Sequence, residues 1–188
     1  NRIGYSATVG GGSGMLNFFK LPHYRIKEIH AIVNGTLNFL FSGGTVSEAL
    51  SLGLCEPCSG ELASIVESEL GDVMMKLTIL ANLSGILPQQ LTPSNFSFTL
   101  YSEYEIQRLL NAGDYRYVVT LAKAKKQGDI FGMWVRSGDW IIKGEFVKTK
   151  TLPFHPPSRE FNILHCLDEI GQTTEIYGLG AGPKPTAE

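Results

Sequence analysis

The stretch Tyr115–Thr149, YRYVVTLAKAKKQGDIFGMWVRSGDWIIKGEFVKT, decides the fold. Its three segments, 115–125, 129–137 and 140–149, are rich in Val, Ile, Tyr, Phe and Trp, side chains that fit a pleated, half-buried surface. Gln127-Gly128-Asp129 and Ser137-Gly138-Asp139 separate them, and each reads as a hairpin turn. Strands joined by tight turns pair antiparallel. After the rigid connector PFHPPS at 153–158, two more strands are expected, EFNILHCLD at 160–168 and TTEIYG at 173–178.

Upstream, strands mix with helices. In RIKEIHAIV at 25–33, Ile29, Ala31 and Val33 alternate with His30 and Ile32, as in a half-buried strand. Asn34-Gly35 marks a turn, and from Thr36 a short apolar helix runs to Gly43-Gly44. Thr45 with Glu48, and Ser102 with Glu105, are capping boxes that open two further helices. The longest helix spans roughly Glu61 to Leu83, with Gly71 as its one candidate break. Val73, Leu77, Leu80 and Ala81 form its core stripe. The expected fold is α+β, a mixed, mostly antiparallel sheet covered by a few helices. Strand–helix alternation is too sparse for a doubly wound sheet.

Composition excludes several classes. The chain has 188 residues, 43% hydrophobic and 18% charged, which is the balance of a globular protein. Its formal net charge of -2 leaves no electrostatic footprint for nucleic acid. The one basic run, AKAKKQGD, reads as a solvated turn. No apolar run reaches the length of a bilayer span, so no membrane partner is expected. The three cysteines favour reduced thiols and a cytoplasmic setting. The opening, NRIGYSATVGGG, looks like the cut edge of a longer protein.

Four features invite chemistry. TVGGGSGM and YGLGAGPKP tempt a dinucleotide reading, but Met15 and Pro183 stand where G-x-G-x-x-G needs its last glycine. Such runs still let a backbone approach a neighbour closely. Cys55 and Cys58 make a C-x-x-C pair, yet a structural zinc wants four ligands. His165 and Cys166 are adjacent on a strand, point to opposite faces and would not share one metal. The four histidines form no ligand set. Asp72 and Lys76 stand four apart on one helix face, which by itself reads as an exposed ion pair worth about 0.3–0.5 kcal/mol. The crowding of apolar residues in GDVMMKLTILA makes Lys76 a candidate proton donor or acceptor.

Five elements occur in one order: ATVGGG, VNGTLNF, a loop with Glu56-Pro57, GDVMMKLTILA and GLGAGPKPTA. Together they resemble the substrate-binding and dimerisation region of homoserine dehydrogenases, from Ser6 to the last residue. Between Pro93 and Pro157 the resemblance is one of layout. It implies an enzyme that interconverts aspartate 4-semialdehyde and homoserine with NADP or NAD, in threonine and methionine biosynthesis. It also implies that residues 1–188 are a catalytic domain excised from a longer chain. The family's nucleotide domain would precede it and a helix would follow it. Lys76 then matches the catalytic lysine, and Asp72 the residue that orients it. Glu56 matches the acidic residue that binds the substrate ammonium, and Glu67 a second acidic residue near the substrate. Gly35 and Thr36 match the turn lining the substrate pocket. Gly180, Ala181 and Gly182 match the loop over the nicotinamide. The carbonyls of Val9, Gly11 and Ser13 match a sodium loop, in which Ser6 stands where a Glu is usual. A homodimer is implied as well.

The chain departs from the family at Leu54, where an aromatic residue is common, and in the longer segment from Glu56 to Asp72. These departures leave two rival expectations. One is a non-enzymatic dimerisation or amino-acid-sensing module of the same fold. The other is a dehydrogenase acting on a related amino acid semialdehyde.

Overall fold

The computed structural model describes residues 9, 13–20, 25–54, 62–123 and 132–180. Their frame is a seven-stranded sheet. The strands are β1 (Ile26–Ile32), β2 (Ser97–Phe98), β3 (Tyr115–Lys123), β4 (Met133–Ser137), β5 (Trp140–Lys148), β6 (Phe161–Asp168) and β7 (Thr173–Leu179). Their spatial order is β2-β4-β5-β3-β1-β6-β7. Every pairing among the described residues is antiparallel, so the sheet is α+β as expected, without the parallel component allowed for above.

One expected hairpin is corrected by this order. β3 and β4 do not pair, because β5 lies between them. β3 and β5 are each nine residues long and pair along their whole length, from Tyr115↔Lys148 to Lys123↔Trp140. β4 has five residues and takes the other side of β5, from Met133↔Gly144 to Ser137↔Trp140. Full-length pairing satisfies more backbone groups than a short sequential hairpin would. The turn at Ser137-Gly138-Asp139 joins true neighbours, whereas Gln127-Gly128-Asp129 lies outside the described residues.

Helices α1 (Gly35–Phe41), α2 (Val46–Ser51), α3 (Leu62–Leu83) and α4 (Glu103–Ala112) follow the expected order. Both capping boxes form, Thr45 with Glu48 and Ser102 with Glu105. α3 runs through Gly71 without a break for 22 residues. A mid-helix glycine costs about 1 kcal/mol, which the burial of Ile65, Val66, Leu70, Val73, Leu77 and Leu80 outweighs. None of the helices among the described residues is long and apolar enough to cross a membrane.

The two faces of the sheet differ. Ile29, Ala31, Val119, Leu121, Ile142, Leu164 and Cys166 belong to the main core with α1, α3 and α4. The alternate residues form the outer face. There Ile32, Val118 and Ile163 pack beneath Phe154 of the Pro-rich connector, and His30 and His165 lie side by side.

Candidate functional site

The site forms where β1 hands over to α1. Asn34 is the N-cap of α1. Its Oδ1 accepts the Leu37 N–H at 2.7 Å, satisfying one of the donors a helix start leaves free. That bond turns the amide nitrogen toward α3. There Nδ2 donates to Glu69 Oε2 at 2.6 Å and to Asp72 Oδ2 at 2.9 Å. Lys76 Nζ lies 2.6 Å from the same Asp72 oxygen. Glu69, Asp72 and Lys76 are three and four residues apart, so they share one helix face.

Burial gives these groups their character. Asn34 and Thr36 are buried, and the Lys76 side chain is 14% exposed against 44% for Asp72. Burial pushes the Glu69 carboxyl above the usual carboxylate range. The Asn34 hydrogen bond opposes that shift, the Asp72 charge adds to it, and Lys76 and Thr36 oppose it. Thr36 Oγ1 donates to the Leu54 carbonyl at 2.6 Å. The hydroxyl therefore ties Leu54 to the start of α1. Glu56, two residues further along the sequence, lies outside the described residues.

The structure thus brings together Gly35, Thr36, Asp72 and Lys76. It does not bring Glu67 to them. Glu67 is exposed and has no part in this hydrogen-bonded cluster. Two positions along a helix is a rotation of about 200°, so Glu67 and Glu69 cannot face the same way. Glu69 is the carboxylate that joins Asp72 and Lys76. Counting back seven residues from Lys76 would have found it. Asn34 carried a signal too, as a capping residue directly ahead of an apolar helix.

The second asparagine of the NGTLN element has a separate task. Asn38 Nδ2 lies within donating distance of the Pro157, Arg159 and Phe161 carbonyls, at 3.0, 2.8 and 2.9 Å. It holds the end of the connector against α1 while Arg159 takes a left-handed φ of 57°. Arg116, buried on β3, donates to the Phe41 carbonyl and so closes the other end of α1.

The two glycine loops meet each other. A Cβ on Gly178 would stand 2.3 Å from Ser13 Cα, and one on Gly180 would stand 2.1 Å from the Asn162 amide. Glycine is required there for close packing. Val9 is buried and Ser13 half-buried, while Gly11, Ala181 and Gly182 lie outside the described residues. Cys166 points into the helix-side core, where burial pushes its thiol up to about 12. His165 faces the other way, toward Glu175. Cys55 and Cys58 lie outside the described residues. Two surface cavities, of about 300 and 370 Å³, lie elsewhere, one beside Glu48 and Arg159 and the other beside Tyr101 and Phe146.

The homoserine dehydrogenase family model matches residues 18–188. No curated protein matches the chain. Among solved structures, a homoserine dehydrogenase from Thiobacillus denitrificans is 22% identical with a TM-score of 0.64, over 97% of this chain and 42% of that one. One from Thermoplasma acidophilum is 20% identical with a TM-score of 0.65, over 97% and 53%. A hyperthermophilic archaeal homoserine dehydrogenase mutant in complex with NADPH is 22% identical with a TM-score of 0.57, over 97% and 51%. The chain spans about half the length of these relatives. With the family model covering all but the first 17 residues, the chain belongs to the homoserine dehydrogenase family.

Proposed function

We propose that this chain is the substrate side of an enzyme that interconverts aspartate 4-semialdehyde and homoserine. The observation that carries this reading is the Lys76–Asp72 pair, at 2.6 Å, sharing one amide donor with the half-buried Glu69. A surface ion pair needs no such company.

In reduction, Lys76 donates its proton to the carbonyl oxygen of the substrate as that oxygen gains charge; in oxidation it takes the hydroxyl proton. Asp72 aims the ammonium group. Glu56, two residues after the Leu54 that Thr36 holds, meets the substrate ammonium through a charge-assisted hydrogen bond, which separates an amino acid from a plain aldehyde. Glu69 takes the place that the family resemblance gave to Glu67 as the second acidic residue of the site. Gly35 and Thr36 line the pocket.

NADP or NAD supplies or accepts the hydride when bound. Gly180, with Ala181 and Gly182, lines the nicotinamide side. The tight fit of Gly180 against Asn162 suits a loop whose backbone, not its side chains, meets a ligand. Carbonyls of Val9, Gly11 and Ser13 would offer sodium an all-oxygen, uncharged donor set.

The reading includes a cytoplasmic homodimer. Phe161, Tyr177 and Leu179 are exposed on the outer face of β6 and β7 and would be covered by a twin.

The test is Lys76→Ala in the full-length protein. We expect kcat to fall by about 10²–10⁴ with KM changed little; an unchanged kcat removes Lys76 from the chemistry. The isolated chain, which spans about half the length of its relatives, is expected to show no homoserine oxidation with NADP.

A further inference from the structure

We propose that Asn34 is a positioning residue for this site, holding the Glu69 and Asp72 carboxylates side by side so that Asp72 stays aimed at Lys76. This rests on the reading of Lys76 given above.

Three of the four hydrogen-bonding sites of the Asn34 amide are in use, including both N–H donors. Its oxygen takes the Leu37 N–H, and its nitrogen supplies one hydrogen to each carboxylate. The orientation is therefore not free. A flipped amide would set its oxygen against two carboxylates and its NH₂ against an N–H. The side chain is buried, at 4% exposure, so water does not substitute for a lost bond.

Two carboxylates three residues apart on one helix face repel each other. A single donor between them offsets that repulsion and fixes their separation. Asp72 then presents the oxygen that Lys76 uses. The same atom thus ends a connected path from the α1 cap to the Lys76 ammonium.

Among the described residues the titratable groups facing Glu69 are Asp72 and Lys76, both on α3; Asn34 and Thr36 face it from α1. Losing the Asn34 donor removes an interaction that favours ionised Glu69. Its carboxyl then titrates at higher pH, beyond what burial and Asp72 already impose.

The experiment uses the full-length enzyme and compares wild type with Asn34→Ser. Serine caps a helix as well as asparagine does but has no amide donor. The expected result is a kcat about tenfold lower at neutral pH. The acid limb of the kcat/KM profile moves to higher pH, and activity recovers toward wild type as pH rises. Asn34→Asp also retains a capping oxygen and sets a third carboxylate against the other two. It should move the same limb further and serves if the serine variant does not fold. In a Glu69→Gln background, Asn34→Ser should no longer move that limb. An acid limb unmoved by either Asn34 variant overturns the proposal. If Lys76→Ala abolishes kcat while both Asn34 variants keep the wild-type profile, the positioning role fails and the Lys76 reading stands. If Lys76→Ala leaves kcat unchanged, that reading fails instead.

Discussion

Two lysine–carboxylate pairs lie on different elements of the molecule and do not do the same work. Lys143 and Glu145 pair on the outer face of β5, two residues apart. Lys76 and Asp72 pair on α3, four residues apart. Their exposure does not separate them cleanly: 28% and 25% for the strand pair, 14% and 44% for the helix pair. Their surroundings do. The strand pair belongs to a polar row across the sheet, where Lys143 lies opposite Thr120, Thr120 opposite His30, and His30 opposite His165. Each ring in that row has its own partners. His30 meets Thr120 at 3.1 Å and Glu28 at 2.9 Å, and His165 meets Glu175 at 2.9 Å. The helix pair is different because a second element intrudes on it. Asn34 arrives from α1, binds Asp72 and brings Glu69 with it. An ion pair becomes a candidate site when groups from separate elements converge on it with donors to spare. Lys76 has three donors and one carboxylate against it among the described residues.

The largest expected effect tests that distinction. In the full-length enzyme, Lys143→Ala should leave kcat within about twofold, while Lys76→Ala costs about 10²–10⁴. Steady-state kinetics on the two variants side by side checks this. Equal losses would show that convergence on the helix pair has no chemical meaning.

The distinction was only partly visible in the sequence. Asp72 and Lys76 announced themselves through helical spacing, and the capping boxes at Thr45 and Ser102 formed where expected. The strands were legible because alternation and β-branched side chains report a half-buried face. Their neighbours were not, since β5 entering between β3 and β4 depends on matched strand lengths, not on local turn chemistry. Asn34 was legible as a turn and not as a bridge, because its partners lie 35 and 38 residues away. Glu67 was matched through the resemblance to a family pattern, whereas helix geometry puts Glu69 on the face that carries Asp72 and Lys76. An unbroken α3 through Gly71 sets the phase of every residue on it.

That same geometry has a thermodynamic consequence at Glu69. Its carboxyl pKa is raised in the folded protein, so the folded state binds the proton more tightly than the unfolded chain does. The ionised form therefore costs stability above the folded pKa, and the cost disappears below the unfolded value near 4.5. Glu69→Gln keeps an oxygen for Asn34 and removes the charge. We expect the variant to be the more stable protein at pH 8 and the difference to close as pH falls toward 4.5, measured by chemical denaturation across that range. A variant less stable at pH 8 would mean that the charge is stabilised where it sits.

The smallest effect belongs to the outer face. Burial holds His30 below its ordinary value of 6.5, with Glu28 opposing and His165 and Lys143 adding to the shift. Folding therefore favours the neutral ring. That ring donates through Nε2 to Glu28 and accepts the Thr120 hydroxyl at Nδ1. The sign follows from linkage. Above 6.5 the ring is neutral in both states and its contribution is fully present. As pH falls from there toward the folded pKa, the unfolded chain takes up the proton first and stability is lost. His30→Gln retains polar contacts and removes the titration. It should flatten the decline in stability between pH 6.5 and the acid limb while leaving kcat unaffected. A change in kcat comparable to that of an Asn34 variant would couple the two faces through β1, the strand that carries His30 and leads directly into Asn34.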